Sequence, residues 1–504
     1  MNSIMRLKCR AAAAMVFAFV LAPAAGAVAK ERRPNVLLVI TDQQQAGMMS
    51  CTGNPWVKTP NLDRLAAEGA RFEKAYCTNP VCIPSRFSLF TGRMPSVIGM
   101  EDNKDVRNPV SKDILDHAMG AVFRDAGYRT AYAGKVHLPG QQDVLDNVTA
   151  YGFEERLAPR DNEGREPAVE ACEAFLKAPH DKPFLLVASL INPHDICHLP
   201  LRDFMTASKI ATNTVDQSAP LALAEVDAAM KFPPGVSEQE FFGNLCPPLP
   251  PNHPVPEKEL TAYMAAHRDD YLGWTRRNYN DRQWRIYRWV YARLTERVDA
   301  QIGRILDALR KAGLEETTLV VFTSDHGEQD GSHRAATKGF LYEESIRIPF
   351  LVKWRGVTKP GCVNTQDLVS NGLDLIPTLC DFANIPAPAA LKGSSVRPLA
   401  EGRPVRDWRR DLVVENNSSR LVRFGNWKYT VGRPEATPSG ASKESSGDQP
   451  VREALFDLNE DPGEMRNLAS DPAFLPKLRE GRSLLKNWYS VRGLKLDPDY
   501  IVRE

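Results

Sequence analysis

Two segments far apart in the chain share one design. "RPNVLLVITD" (Arg33–Asp42) and "ETTLVVFTSDHGE" (Glu316–Glu328) are each a short, β-branched apolar run that ends in an acid. A strand apolar at successive rather than alternate positions has no wet face, so it must be covered on both sides. "KPFLLVASLINPHD" (Lys182–Asp195) repeats the pattern, and "LDHAMGAVFRDAGYRTAYAGK" (Leu115–Lys135) reads as helix, Gly127, then strand into Gly134. Helical patterns lie between these strands. "TPNLDRLAAEGARF" is one, with Asn61 as the expected N-cap, and the long amphipathic "IYRWVYARLTERVDAQIGRILDALRKAG" delivers the chain into the Leu319–Thr323 strand. The alternation predicts an α/β/α sandwich: one large sheet with helices on both faces.

Each of the four strands runs out into polar residues: Thr41–Asp42–Gln43, Gly134–Lys135–Val136–His137, Asn192–Pro193–His194–Asp195 and Ser324–Asp325–His326–Gly327. In open α/β sheets, sites form beyond the carboxyl ends of the strands, so these clusters are expected to converge on one pocket. A lone strand-end Asp is ordinarily a helix cap. Asp42 and Asp325 together, each followed by a residue able to bind metal (Gln43, His326), suit a hard divalent cation such as Ca²⁺ or Mg²⁺. Lys135, His137, His194 and Lys338 add cations and proton carriers, as a site for an anionic substrate requires.

"NPVCIPSRFSLFTGR" (Asn79–Arg93) places Cys82 just before a helical turn begun by Pro84 and Ser85 and ended by Gly92. A thiol there sits at the positive end of a helix, with Arg86 one turn on as an oxyanion clamp. A buried structural cysteine at a helix–loop junction is the alternative reading.

Beyond this core the composition shifts. "CPPLPPNHPVPEKE" (Cys246–Glu259) reads as a long surface loop, and the aromatic, Arg-rich Tyr271–Trp284 stretch as either the wall of a substrate cleft or ordinary packing. From about residue 396 the rhythm stops. "RDLVVENN", "RLVRFGNWKYTVG" and "ALFDLNEDPGEMRNLA" read as an antiparallel sheet and "AFLPKLREGRSLLKNWYSV" as a closing helix, with "PEATPSGASKESSGDQP" as a polar insert. The expected organisation is a signal peptide over residues 1–29, an α/β domain over 30–395 and a smaller C-terminal α+β subdomain over 396–504. The leader reading rests on Arg6, Lys8 and Arg10, the apolar run after them, and "AVA" before Lys30. It predicts a periplasmic or secreted protein without a membrane span. A formal net charge of +1 over 504 residues excludes nucleic-acid binding through bulk charge. The nine cysteines are scattered without a C-x-x-C pair, so no zinc site and no particular disulfide is implied.

Cys82–Ile83–Pro84–Ser85–Arg86 with Thr91–Gly92–Arg93 resembles the signature of the type I sulfatases of the alkaline-phosphatase-like superfamily. The resemblance continues through Pro34–Asn35–Val36 to Asp42, Gly134 to His137, Thr323 to Glu328, Lys338–Gly339, Leu455 to Leu458 and Asp461–Pro462. It implies that a maturation enzyme converts Cys82 to Cα-formylglycine. It also implies that Asp42, Gln43, Asp325, His326 and residue 82 hold Ca²⁺ (or Mg²⁺). Arg86 and Lys135 would steady the aldehyde hydrate and the sulfate, His137 would act as base, and His194 and Lys338 would face the leaving-group oxygen. A hydrated aldehyde offers one oxygen to attack sulfur and a second whose deprotonation re-forms the aldehyde and expels sulfate. The implied substrate is a sulfated carbohydrate or another small sulfate ester. Gln43 departs from the family's commoner second aspartate, as in choline-sulfatase-like and phosphonate-monoester-hydrolase-like branches. A phosphate or phosphonate ester hydrolase is therefore the related alternative, and a non-catalytic binding protein the unrelated one.

Overall fold

The computed structural model describes residues 33–140, 147–158, 165–210, 219–254, 261–434 and 452–502. The expected leader (1–29) and most of the polar insert (435–451) lie outside the described residues. The strands are β1 (Asn35–Asp42), β2 (Ala70–Phe72), β3 (Ala75–Tyr76), β4 (Arg129–Gly134), β5 (Glu155–Arg156), β6 (Phe184–Pro193) and β7 (Thr318–Ser324). They continue as β8 (Phe350–Lys353), β9 (Cys362–Asn364), β10 (Val369–Ser370), β11 (Asp411–Glu415), β12 (Ser419–Phe424), β13 (Trp427–Gly432) and β14 (Glu453–Asp457).

Eight of these make one sheet in the order β5-β4-β6-β1-β7-β8-β2-β9. The pairs from β5 to β7 are all parallel, whereas β8 runs antiparallel to both β7 and β2. The large helix-covered α/β sheet expected from the strand pattern is thus the observed one, and it is mixed. Strand β1 is apolar from Val36 to Ile40 because it feeds two cores. Val36, Leu38 and Ile40 pack with the helices Cys82–Thr91 and Asn371–Ala383, while Leu37 and Val39 pack with Pro60–Glu68, Glu166–Lys177 and Asp281–Lys311. Five fully buried side chains of this size bring roughly 7–15 kcal/mol of apolar burial, an upper figure for a single strand.

Parallel pairing puts the carboxyl ends of β4, β6, β1 and β7 side by side, which aligns the four polar clusters. The register is regular from Asn35↔Thr318 to Thr41↔Ser324. Against β6 it slips: Thr41 faces Leu190 but Asp42 faces Pro193. The extra residues in β6 carry the chain outward and bring His194 over Asp42, the re-aiming that bulges perform.

Beyond the main sheet, β11–β14 form an antiparallel sheet in sequence order. Val413, Val422, Tyr429 and Leu455 on it pack against Leu485, Trp488 and Tyr489 of the Leu475–Ser490 helix. A short parallel pair, β3 with β10, stands apart. No helix among the described residues is long and apolar enough to cross a membrane. The eight described cysteines are all free thiols.

Two local expectations change, and one reading left open is decided for Trp284. Asn61 does not cap its helix. Pro60 takes the first helical position, where its missing N–H costs nothing, so the cap moves back to Thr59. The Asn61 amide instead binds Asp299 Oδ2 at 2.9 Å on the long helix. The Pro-rich segment is not simply a surface loop: Asn252 and His253 are buried, and Asn252 Nδ2 donates to Glu344 Oε1 at 2.8 Å. In the Tyr271–Trp284 stretch, Trp284 is core, packed between Tyr279 and Tyr287, while Tyr271 lies near Lys338 and Thr337.

Just past β7 the chain runs close beneath a neighbouring segment. The N–H groups of Gly327 and Glu328 donate to the carbonyls of Ser345 and Glu344 at 2.8 and 3.0 Å. A Cβ on Gly327 would lie 1.9 Å from the Glu344 oxygen. Gly327→Ala should therefore lower stability by about 3 kcal/mol or more, read by denaturant unfolding. An unchanged midpoint would mean that this strand end relaxes freely.

Candidate active site

The helix Cys82–Thr91 begins at the mouth of the sheet, and Gly92 ends it in a left-handed conformation (φ 66°). Ser85 Oγ donates to the Asp325 carbonyl at 2.5 Å, tying the helix start to the end of β7. The Ile83 N–H is capped by Asn103 Oδ1 at 2.9 Å.

Arg86, one turn into this helix, is fully buried and lies across both acids. Its Nε donates to Asp325 Oδ2 at 2.9 Å and its Nη2 to Asp42 Oδ2 at 3.1 Å. Nη1 donates to the Lys135 carbonyl at 3.0 Å and to Ser189 Oγ at 2.8 Å. The guanidinium that sequence reasoning aimed at substrate thus faces the protein's own carboxylates. Lys135 Nζ completes the neutralisation, 2.8 Å from Asp42 Oδ2.

Asp42, Cys82, Asp325 and His326 each point one ligand atom into a common space, all within 4.8 Å of one another, and all four are buried. His326 Nδ1 lies 2.9 Å from the Gly327 carbonyl. A carbonyl only accepts, so Nδ1 carries a proton and Nε2 is the nitrogen turned toward the cluster, 3.2 Å from Cys82 Sγ. Two carboxylates and an imidazole nitrogen suit a hard divalent cation, which would take the place of any proton on Nε2.

Lys338 Nζ joins the remaining parts, donating to Cys82 Sγ at 3.0 Å and to Gln43 Oε1 at 2.8 Å. Gln43, in the left-handed region (φ 69°), also accepts from the Cys197 thiol at 3.1 Å and donates its Nε2 to Glu328. Its backbone N–H reaches Asp325 Oδ1 at 3.1 Å. His137 (φ 50°) and His194 both face Cys82, and each has a buried Nδ1 without a partner. All ten residues singled out from the sequence therefore meet at one place.

The electrostatics divide the groups. Burial would raise the Cys82 thiol, but Lys338, Lys135 and His326 outweigh it and hold the thiol well below its ordinary range. Burial and Cys82 push Asp42 up, and Lys135 and Lys338 pull it further down, well below the usual carboxylate range. Asp325 has no lysine partner, and burial with the adjacent Asp42 raises it to about 6. Burial, and then Lys135, lower His137 and His194, so both imidazoles are neutral at pH 7 and free to take protons.

Four participants carry no role in the sequence reading: Glu328, Cys197, Tyr287 and Tyr291. Tyr287 OH donates to Glu328 Oε1 and Tyr291 OH to the Gln43 carbonyl, each at 2.7 Å. Their spacing of four residues on one helix was the available signal, since it puts both hydroxyls on one face.

A family model described as Sulfatase matches residues 34–385. A Delta 4,5-hexuronate-2-O-sulfatase of Bacteroides thetaiotaomicron is 28% identical, over 94% of this chain and 94% of the relative. An ulvan-active sulfatase of Formosa agariphila is 30% identical, over 88% of this chain and 78% of the relative. Among solved structures, a 2-O GAG sulfatase superposes with a TM-score of 0.72 at 25% identity, covering 93% of this chain and 95% of that one.

A proton on Asp325 and a cation in the cluster compete for the same oxygens. Apparent Ca²⁺ affinity, measured calorimetrically, should fall as pH drops through about 6, approaching tenfold per unit. A flat profile from pH 7 to 5 would show that Asp325 holds no proton there. Arg86→Leu leaves two buried acids without their shared counter-charge and should cost about 3–5 kcal/mol by denaturant unfolding. Arg86→Lys should recover only part of this, because one ammonium cannot span both carboxylates.

Proposed function

The chain belongs to the sulfatase family and is a sulfuric ester hydrolase, and we propose that it removes sulfate from a carbohydrate using formylglycine at position 82 and a divalent cation. The observation that carries this reading is the position of Cys82 Sγ. It lies at the start of a helix, 3.0 Å from an ammonium and beside the ligand atoms of Asp42, Asp325 and His326. The carbohydrate assignment draws on the relatives, whose names specify a hexuronate 2-O-sulfate and ulvan. The leader expected over residues 1–29 supports an exported enzyme acting outside the cytoplasm.

Asp42, Gln43, Asp325 and His326 would hold the cation, Ca²⁺ in this reading, with Mg²⁺ as the other hard divalent candidate. When bound, it would polarise the attacking oxygen and a sulfate oxygen, while the hydrated aldehyde would supply the nucleophile and the route for sulfate release. The chain's own residues supply the remainder. Arg86 fixes the two acids a ligand's width apart and keeps their charge from repelling an anionic ester. Lys135, on the Asp42 side, would take up negative charge on the sulfate. His137, neutral and facing residue 82, would accept the proton there. Lys338 would donate toward the departing oxygen, and His194 would orient it by hydrogen bonding.

Protein made in a host with formylglycine-generating activity should give a tryptic peptide with the aldehyde mass at residue 82. Cys82→Ala should lose at least about 10³-fold in kcat with its fold intact, on the scale of losing a nucleophile. An active enzyme bearing only a thiol there would overturn the mechanism. Turnover of sulfated uronate and hexosamine disaccharides, set against aryl sulfate and aryl phosphate, tests the substrate class. A preference for phosphate would favour the phosphonate-hydrolase-like reading instead.

A further inference from the structure

The Gln43 carboxamide lies between groups of opposite hydrogen-bonding character. On one side, Glu328 Oε1 accepts from Tyr287 OH at 2.7 Å, Thr337 N–H at 2.7 Å and Asp330 N–H at 3.1 Å. Every partner of this fully buried carboxylate is a donor, so Glu328 is an acceptor, and its Oε2 receives Gln43 Nε2. On the other side, Gln43 Oε1 faces Lys338 Nζ at 2.8 Å and Cys197 Sγ at 3.1 Å. An ammonium can only donate, and a carboxylate can only accept. The orientation of an amide is often ambiguous, but here a flip would set NH₂ against ammonium and oxygen against carboxylate.

We propose that Glu328 is a positioning residue that locks the Gln43 carboxamide with its oxygen toward Lys338 and the cation-binding acids. The same contact fixes what residue 43 can be. A glutamate at position 43 would face the Glu328 carboxylate in a buried space, whereas the amide completes its acceptor shell. The consequence for the cation rests on the reading of the site given above; the pairing of Gln43 with Glu328 does not.

A double-mutant cycle of Gln43→Glu and Glu328→Gln tests this in the full chain. Glu328→Gln must keep its oxygen toward Tyr287, Thr337 and Asp330, so its NH₂ meets Gln43 Nε2 and turns that amide over. Gln43→Glu opposes two carboxylates. The double substitution restores one donor facing one acceptor. In EDTA, each single variant should lower Tm by roughly 2–6 °C, and the double should recover most of that loss. In CaCl₂ titrations, Glu328→Gln should bind about tenfold more weakly and the double at least as tightly as the parent, since it adds a charged ligand. Additive Tm losses would overturn the pairing. An unchanged CaCl₂ affinity in Glu328→Gln would overturn the positioning role. A parent that takes up no CaCl₂ would count against the cation reading alone, because the cycle in EDTA still decides on the pairing.

Discussion

Like charges in a space without water repel strongly, and two carboxylates side by side at the ends of β1 and β7 would not persist unaided. The Arg86 guanidinium lies across both, and the planar fork matches two acids set on neighbouring strands. Much of the surroundings serves that placement. Ser85 pins the helix to the Asp325 carbonyl, Ser189 and the Lys135 carbonyl hold the far edge of the guanidinium, and the regular β1–β7 register sets the spacing. Arg86 sits one turn after Cys82, so the interaction that stabilises the acids also fixes where the thiol stands.

A second consequence is the unequal environment of the two acids. Asp42 receives both Arg86 and Lys135, whereas Asp325 receives Arg86 and no lysine, with the His326 ring nearby and the backbone N–H groups of Gln43 and His326 on its other oxygen. One therefore stays ionised throughout the ordinary range, and the other is raised to about 6. The pocket presents a permanent charge beside an adjustable one, with neutral imidazoles across from them. That is a division of roles among groups that a sequence displays as equivalent strand-end residues.

The gross plan was legible because it rests on local pattern. Strands without a wet face demand cover on both sides, and parallel strands place their ends together, so Asp42, Lys135, His194 and Asp325 were bound to meet. Roles were harder to read than positions. Arg86 looks like an anion clamp because arginine near a cysteine suggests one, but only the structure reveals that its donors are taken by Asp42 and Asp325. Glu328 lies in the same run as Asp325 and His326, yet its partner is Gln43, 285 residues earlier, and no local rule pairs them. Asn61 and Trp284 differ for a simpler reason. Proline at the first helical position displaced one cap, and packing against Tyr279 and Tyr287 absorbed an aromatic that could equally have lined a cleft.

The place of β1 in the sheet has a consequence for how the chain is made. It is the first strand of the large sheet to be synthesised, and it pairs with β6 and β7, whose partners Leu185 and Thr318 come far later. At ribosomal speeds of about 5–20 residues per second, β1 waits on the order of 15–60 s for β7. Throughout that interval "NVLLVITD" offers two apolar faces and two unpaired edges, the pattern of an aggregation-prone segment. The buried strand that organises the finished active site is thus also a segment of the nascent chain in need of shelter.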